Sequence, residues 1–273
     1  MKSFKEYLDN KTSSLKTVHV TTEDGVHLEG SFLYNGNTVI AHTHGTASFY
    51  NNEAFEPPLR EYCKENNYSF LTFNNRGAYN EGASKELFSD SPKDIQAWIN
   101  WLHENGMHDI ILSGHSLATE KIANFIKQNF NNISKILLFS PSDTIGNQQR
   151  YERKIGKTFI DEANKKSSDG NGEELLSDKK SHAGVLPMTA NAYLDFYSEG
   201  KPLETALPFR NKILSKFQVE CYSLVPTKDH YNITSTEEYI KNLEQAGAKV
   251  LECNTDHDFN DFNTLNALRS FKI

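Results

Sequence analysis

The sequence predicts an α/β fold, a mostly parallel sheet covered by helices and interrupted once by an insertion. Two observations predict it. Short apolar runs rich in β-branched residues alternate with segments of helical period from about residue 17 to the end of the 273-residue chain, the mark of strands joined by crossover helices. That alternation breaks between about residues 145 and 215, where a polar, Gly-containing stretch takes its place. A chain of this length buries a sizeable core, so one large domain carrying an inserted segment is expected, with a core of residues 1–144 and 216–273 and an insertion of 145–215.

The elements follow in order. KTVHVTTEDGVHLEGSFLYNG, from Lys16, reads as two antiparallel strands joined at Glu23-Asp24-Gly25, a hairpin signal. NTVIAHTHG is a third strand ending at Gly45, followed by a helix around EPPLREYCKENN. YSFLTFNNRGAYNEG is a strand running into a polar loop. SPKDIQAWINWLHENG is a helix with Ser91 as N-cap, Pro92 in its first turn and Gly106 as its stop. Strand DIILSG, helix LATEKIANFIKQNF and strand KILLFSP come next; Ile122, Phe125 and Ile126 form the stripe that packs the helix on the sheet. Within the insertion KKSSDGNGEELLSDKKSH is polar, whereas LPMTANAYLDFYSEGKPLETALPF is able to form one or two amphipathic helices. The rhythm resumes with strand VECYSLVP, helix STEEYIKNLEQAGA, strand KVLECN and a last helix in NTLNALRSF.

Composition narrows the function classes. The formal net charge is −7, with both signs spread along the chain, so there is no basic face for nucleic acid or an acidic membrane surface. Cys63, Cys221 and Cys253 are an odd set at wide spacing, read as buried thiols in a reducing compartment rather than a disulfide framework. MKSFKEYLDNKTSSLK lacks the apolar run of a signal peptide, and no later segment approaches a membrane span. The expectation is a soluble cytoplasmic protein acting on a small molecule without a cofactor; its oligomeric state is left open.

The residues that carry chemistry centre on Gly114-His115-Ser116-Leu117-Ala118, a G-x-S-x-A version of the G-x-S-x-G nucleophile elbow, set between a strand and a helix. A serine hydroxyl needs a base, a group that orients the base, and donors for the oxyanion. His257 lies after the last β-like run and before the last helix, where the base belongs. Asp229, one strand earlier, is the preferred orienting acid, and Asp143, directly after the strand before that, is its competitor. The N–H of Leu117, at a helix N-terminus, is one expected oxyanion donor. The second is expected in His44-Gly45-Thr46-Ala47, with Thr46 first choice and Ala47 second. Asp256 and Asp258 flank His257 too closely to orient it and are read as capping or solvating the loop. His42 and His44 alternate along a strand, but no nearby Asp, Glu or Cys completes a ligand set, so no metal is expected. Arg76 is read as bracing strand-end loops. Ala47, His115, Tyr193 and Tyr197 are candidate substrate contacts; Tyr193, Phe196 and Tyr197 share one helical stripe, an arrangement that also packs against the body of a protein.

With Gly114-His115-Ser116, His44-Gly45, Arg76-Gly77, Asp229 and His257 in this order, the sequence resembles the α/β-hydrolase superfamily. The resemblance implies an eight-stranded mostly parallel sheet, a Ser-Asp-His triad of Ser116, Asp229 and His257, and a cap inserted after the sixth strand. Through HGTASFYNN, GHSLAT and FSPSD the chain is also similar to a branch whose fungal relatives include siderophore esterases, without assigning a substrate. The expected chemistry is cleavage of an ester or thioester through an acyl-enzyme on Ser116. An acyltransferase with the same triad, or a binding protein on the same scaffold, are the alternatives, since a fold hosts many functions.

Overall fold

The computed structural model describes residues 14–129, 133–207, 216–271 and 273. Residues 1–13 and the Pro208-Phe209 end of the insertion's helical stretch, both read above, lie outside the described residues. Eight strands form one sheet: β1 (Lys16–Thr21), β2 (His27–Leu33), β3 (Thr38–Thr43), β4 (Ser69–Phe73), β5 (Asp109–His115), β6 (Lys135–Phe139), β7 (Glu220–Pro226) and β8 (Ala248–Cys253). Their order is β1-β2-β4-β3-β5-β6-β7-β8. β1 and β2 form the expected hairpin, β2 pairs antiparallel with β4, and every later pairing is parallel. Gly25, in the hairpin turn, has φ +85°, a conformation that glycine adopts without steric cost.

Helices cover both faces, because each brings an apolar stripe to the sheet. On one face α3 (Ser91–Glu104) supplies Trp98, Ile99 and Leu102, and α4 (Leu117–Asn129) supplies Ile122, Phe125 and Ile126. On the other, Leu59, Tyr62 and Cys63 of α1 (Glu56–Glu65) and Leu268 of α9 (Thr264–Phe271) pack on Ile40, Ile111 and Leu137. A short α2 (Tyr79–Ala83) lies in the loop after β4, and α8 (Thr236–Gln245) joins β7 to β8.

Two details differ from the sequence reading. Ser91 is the first residue of α3 rather than its cap: a 3-10 turn, Phe88–Asp90, runs directly into the helix, so the residue before it is already helical. The Ser91 hydroxyl is buried without a partner. The stretch between β6 and β7 is also more regular than its polar composition suggested, with α5 (Thr144–Ile155) and α6 (Ile160–Ser168) ahead of α7 (Ala190–Tyr197) and a 3-10 turn at Pro202–Thr205. α5 is capped by Asp143, whose carboxylate accepts the Gly146 N–H at 2.8 Å, and it stops at Gly156 in a left-handed conformation. Both end signals stand in the sequence, but the helix between them has no continuous apolar stripe to betray it. This segment packs through Phe159, Met188, Tyr193 and Phe196 onto Phe88 and Leu117.

Parallel pairing brings the C-terminal ends of β3, β5 and β6 together: Thr43 pairs with Gly114, and His115 with Phe139. The loops that follow these strands therefore gather on one edge, where open α/β sheets place their ligands.

Candidate active site

Ser116 occupies the turn from β5 into α4 with φ +52°, a strained conformation for a residue with a side chain. The turn is pinned by the Ser116 N–H, which donates to the Phe139 carbonyl at 3.0 Å. Small neighbours allow it. A Cβ on Gly114 would stand 2.7 Å from Ile122 Cδ1 and 3.0 Å from Ala118 Cβ. Gly114 therefore leaves the room that Ala118 fills, and the departure from G-x-S-x-G is absorbed by the other glycine. Gly45 has the same function from the β3 side, since a Cβ there would approach Ser116 Cβ to 3.0 Å.

His257 Nε2 lies 2.9 Å from Ser116 Oγ, and its Nδ1 lies 2.7 Å from Asp229 Oδ2. With Nδ1–H donating to the carboxylate, Nε2 is left to accept the serine proton. Asp229 is itself fixed by the Tyr231 N–H, which donates to Oδ1 at 2.8 Å. Asp143, the competing acid, caps α5 instead. Asp256 accepts from the Asn260 N–H and amide at 3.0 and 3.1 Å, the capping role read for it. The His257 carbonyl is gripped by two donors, the Ser140 hydroxyl at 2.6 Å and His115 Nε2 at 3.0 Å.

Beneath the serine lies a buried charge network centred on Glu53. Its carboxylate accepts from His42 Nε2 (2.8 Å), His115 Nδ1 (2.9 Å) and the Gly45 N–H (3.0 Å). Burial opposes a charge on His115, but the Glu53 carboxylate and the His257 carbonyl outweigh it and push the imidazole up to about 9. Burial likewise opposes the Glu53 charge, and the two histidines overcome it, holding this carboxyl well below the usual range. His44 does not join: burial lowers it to about 4, while its Nδ1 meets the Gly45 carbonyl and its Nε2 accepts the Asn75 N–H.

The expectation that no acid stands near His42 is thus corrected: His42, Glu53 and Glu56 each bring a ligand-type atom within 4.8 Å of the others. Loop geometry, invisible in the sequence, folds Glu53 back over β3. Both His42 nitrogens and both Glu53 oxygens are already engaged in hydrogen bonds.

A cavity of about 470 Å³ opens over Ser116 and His257, with Thr46, Ala47 and His115 among its walls. Residues of the β6–β7 segment, including Asn147, His182 and Val185, close one side. The Leu117, Tyr193 and Tyr197 side chains do not line it. Leu117 and Tyr193 are buried in the cluster between α4 and this segment. Tyr197 makes a 2.7 Å hydrogen bond to His182 Nδ1, and so reaches the cavity only through that ring. Arg76 is a brace, as read: it joins Asp24 of the hairpin turn, Asp90 and Asp94 at 2.8–3.1 Å.

No protein-family model and no curated protein sequence matches this chain. Solved structures do. Est1E from Butyrivibrio proteoclasticus, with ferulic acid bound, superposes with TM-score 0.70 at 13% identity, covering 93% of this chain and 97% of that one. GrgF from Penicillium sp. sh18, an alpha/beta hydrolase, gives 0.67 at 14% identity, with 95% and 96% covered. An esterase of Pyrococcus furiosus gives 0.61 at 14% identity, with 100% and 92% covered. The chain has the α/β-hydrolase fold.

Within that fold, strand order located Ser116, Asp229 and His257, and the structure brings the three together. Sequence reasoning missed Glu53. FYNNEAFEPP holds an acidic residue in a polar loop, with no local signal that it turns inward. No helix of the described residues is long and apolar enough to cross a membrane.

Proposed function

We propose that this protein is a serine hydrolase that cleaves an ester-like bond through an acyl-enzyme on Ser116. The observation that carries the reading is the continuous hydrogen-bond relay from Ser116 Oγ through His257 to Asp229, at 2.9 and 2.7 Å, opening on a cavity. His257 takes the serine proton as Oγ attacks the carbonyl and returns it to the leaving group; Asp229 holds the imidazole in the useful tautomer and stabilises its cation. The N–H groups of Leu117 and Thr46 receive the oxyanion, Leu117 at the N-terminus of α4 and Thr46 in the loop that Gly45 brings against the elbow. Water then enters along the same path, activated by His257, and releases the acid. The segment 145–215 acts as a cap, a reading supported by its share of the cavity wall. Est1E and the Pyrococcus esterase share the fold at low identity, which supports an ester as the class of substrate.

The test is covalent labelling by a fluorophosphonate together with turnover of p-nitrophenyl esters. Ser116→Ala is expected to abolish both while the circular dichroism spectrum and unfolding midpoint stay at wild-type values. Labelling that survives the substitution rules out Ser116 as the nucleophile.

A further inference from the structure

His182, which sequence reading passed over, stands on the cavity wall within the 145–215 segment. A tight turn sets it there. The Val185 N–H donates back to the His182 carbonyl at 2.8 Å, and the two residues between, Ala183 and Gly184, have φ +50° and +80°, the pair of positive values that a type I′ turn requires. The Ala183 N–H donates to Gln148 Oε1 at 2.6 Å, which ties the turn to α5. The imidazole is 1% exposed, with the Phe196 ring edge-on to it at 5.3 Å. Its Nδ1 meets the Tyr197 hydroxyl at 2.7 Å. That phenol has no other hydrogen-bond partner among the described residues, and burial pushes its pKa well above the usual value, so it keeps its proton and donates it to Nδ1. The ring's own proton then sits on Nε2. Burial, with the Lys121 charge nearby, lowers His182 to about 3, so the ring is neutral. Nε2 has no protein partner among the described residues and is not one of the polar atoms sealed from solvent without one. A nearly buried N–H is thus turned to the cavity. The wall hydroxyls of Ser142 and Thr144 differ, since Ser142 donates to Thr144 Oγ1 at 3.1 Å and Thr144 donates in turn to the Glu120 carboxylate.

We propose that His182 selects the substrate, its Nε2–H donating to a keto, ether or hydroxyl oxygen that the ester carries outside the group being cleaved. This role rests on the serine hydrolase reading and adds to it a requirement on the substrate. A donor almost removed from water loses its remaining solvent when a ligand fills the cavity. A purely hydrocarbon chain then leaves it unpaired at a cost, whereas an acceptor at that point does not. Tyr197 acts behind it as a positioning residue. By fixing the proton on Nε2 it keeps the cavity-side nitrogen a donor, and so discriminates against substrates that present an N–H there.

The experiment measures kcat/KM for matched pairs of esters that differ in one acceptor. On the acyl side they are the p-nitrophenyl esters of levulinic acid and its next two homologues, each beside the isostere with C=CH2 in place of the ketone. On the alcohol side they are the butyrates of methoxyethanol and methoxypropanol, each beside that of the alkanol with CH2 in place of the ether oxygen. In at least one pair the acceptor is expected to raise kcat/KM roughly tenfold, the scale of a neutral hydrogen bond to a donor otherwise left unpaired. His182→Phe should bring that ratio close to unity and Tyr197→Phe should lower it, whereas a merely structural role would slow both members of a pair alike. NMR of wild-type protein labelled at the histidine nitrogens reads the tautomer directly, with the His182 signal assigned by its loss in His182→Gln; the proton is expected on Nε2. A proton on Nδ1, or on both nitrogens, overturns the proposal. So does the absence of a preference in every pair on a Ser116 that labels normally, or a preference that survives His182→Phe, and each of these leaves the hydrolase reading in place. Absence of both labelling and turnover overturns that reading and this one with it.

Discussion

His115 is expected to make the protein less stable as the medium turns alkaline, and the size of the effect follows from its surroundings. The imidazole is buried, 5% exposed, so solvent screens its interaction with Glu53 little. Its pKa rises from 6.5 to about 9, because the Glu53 carboxylate and the His257 carbonyl outweigh the cost of burying a cation. Below the unfolded value of 6.5 both states carry the proton and the stabilisation is present in full. As pH climbs through the folded value the native state gives the proton up and the stabilisation disappears. Each unit is worth about 1.4 kcal/mol, so the span amounts to about 3 kcal/mol, a substantial fraction of a domain's stability. The assay is urea unfolding at constant ionic strength at several pH values from 6 to 9, on wild type and His115→Gln. Taking the difference between the two removes contributions common to both, including those of the buried thiols, which burial raises to about 12 or beyond. The wild-type advantage should be largest near pH 6 and shrink by about 3 kcal/mol on approaching pH 9. Parallel curves for the two proteins would refute the reasoning, since they would mean that His115 holds no extra proton in the native state.

Further outcomes are expected at Asp229, Asp143 and Gly114. Asp229→Asn should slow ester turnover by roughly 10³- to 10⁴-fold with the fold intact, because the base loses its orienting acceptor. Asp143→Ala should instead cost about 1 kcal/mol of stability by removing the α5 cap and leave the labelling rate of Ser116 at the wild-type level; a collapse in labelling would restore Asp143 as the acid. Gly114→Ala should destabilise by about 1–3 kcal/mol, because the new methyl meets Ile122 and Ala118 inside contact distance. Combining it with Ala118→Gly relieves only the second of these contacts, so thermal unfolding should show partial recovery; no recovery would mean that Ala118 is not the neighbour that matters.

Much of the scaffold was legible because parallel sheets advertise themselves. Their strands are buried on both faces and read as unbroken apolar runs, as in Ile110-Ile111-Leu112 and Ile136-Leu137-Leu138, all buried. Ser116, Asp229 and His257 could be chosen from strand order because each follows a strand end. Glu53, Tyr231 and the true wall of the cavity could not. Their positions depend on how loops fold back, and no periodicity encodes that. Tyr193 is the instructive case: its stripe with Phe196 is real, but the stripe faces the cluster around Phe159 and Leu117 rather than the cavity. α5 was hidden for a different reason. A helix with a polar surface and a narrow contact face gives almost no hydrophobic pattern, and only its end signals, Asp143 and Gly156, mark it.

The two hydrogen bonds on the His257 carbonyl have a thermodynamic consequence. One donor, His115, is the last residue of β5, and the other, Ser140, directly follows β6. The loop bearing the proposed base is thereby registered to the centre of the sheet. The entropy of immobilising that loop is lost once, when the chain folds, and not again each time a substrate arrives.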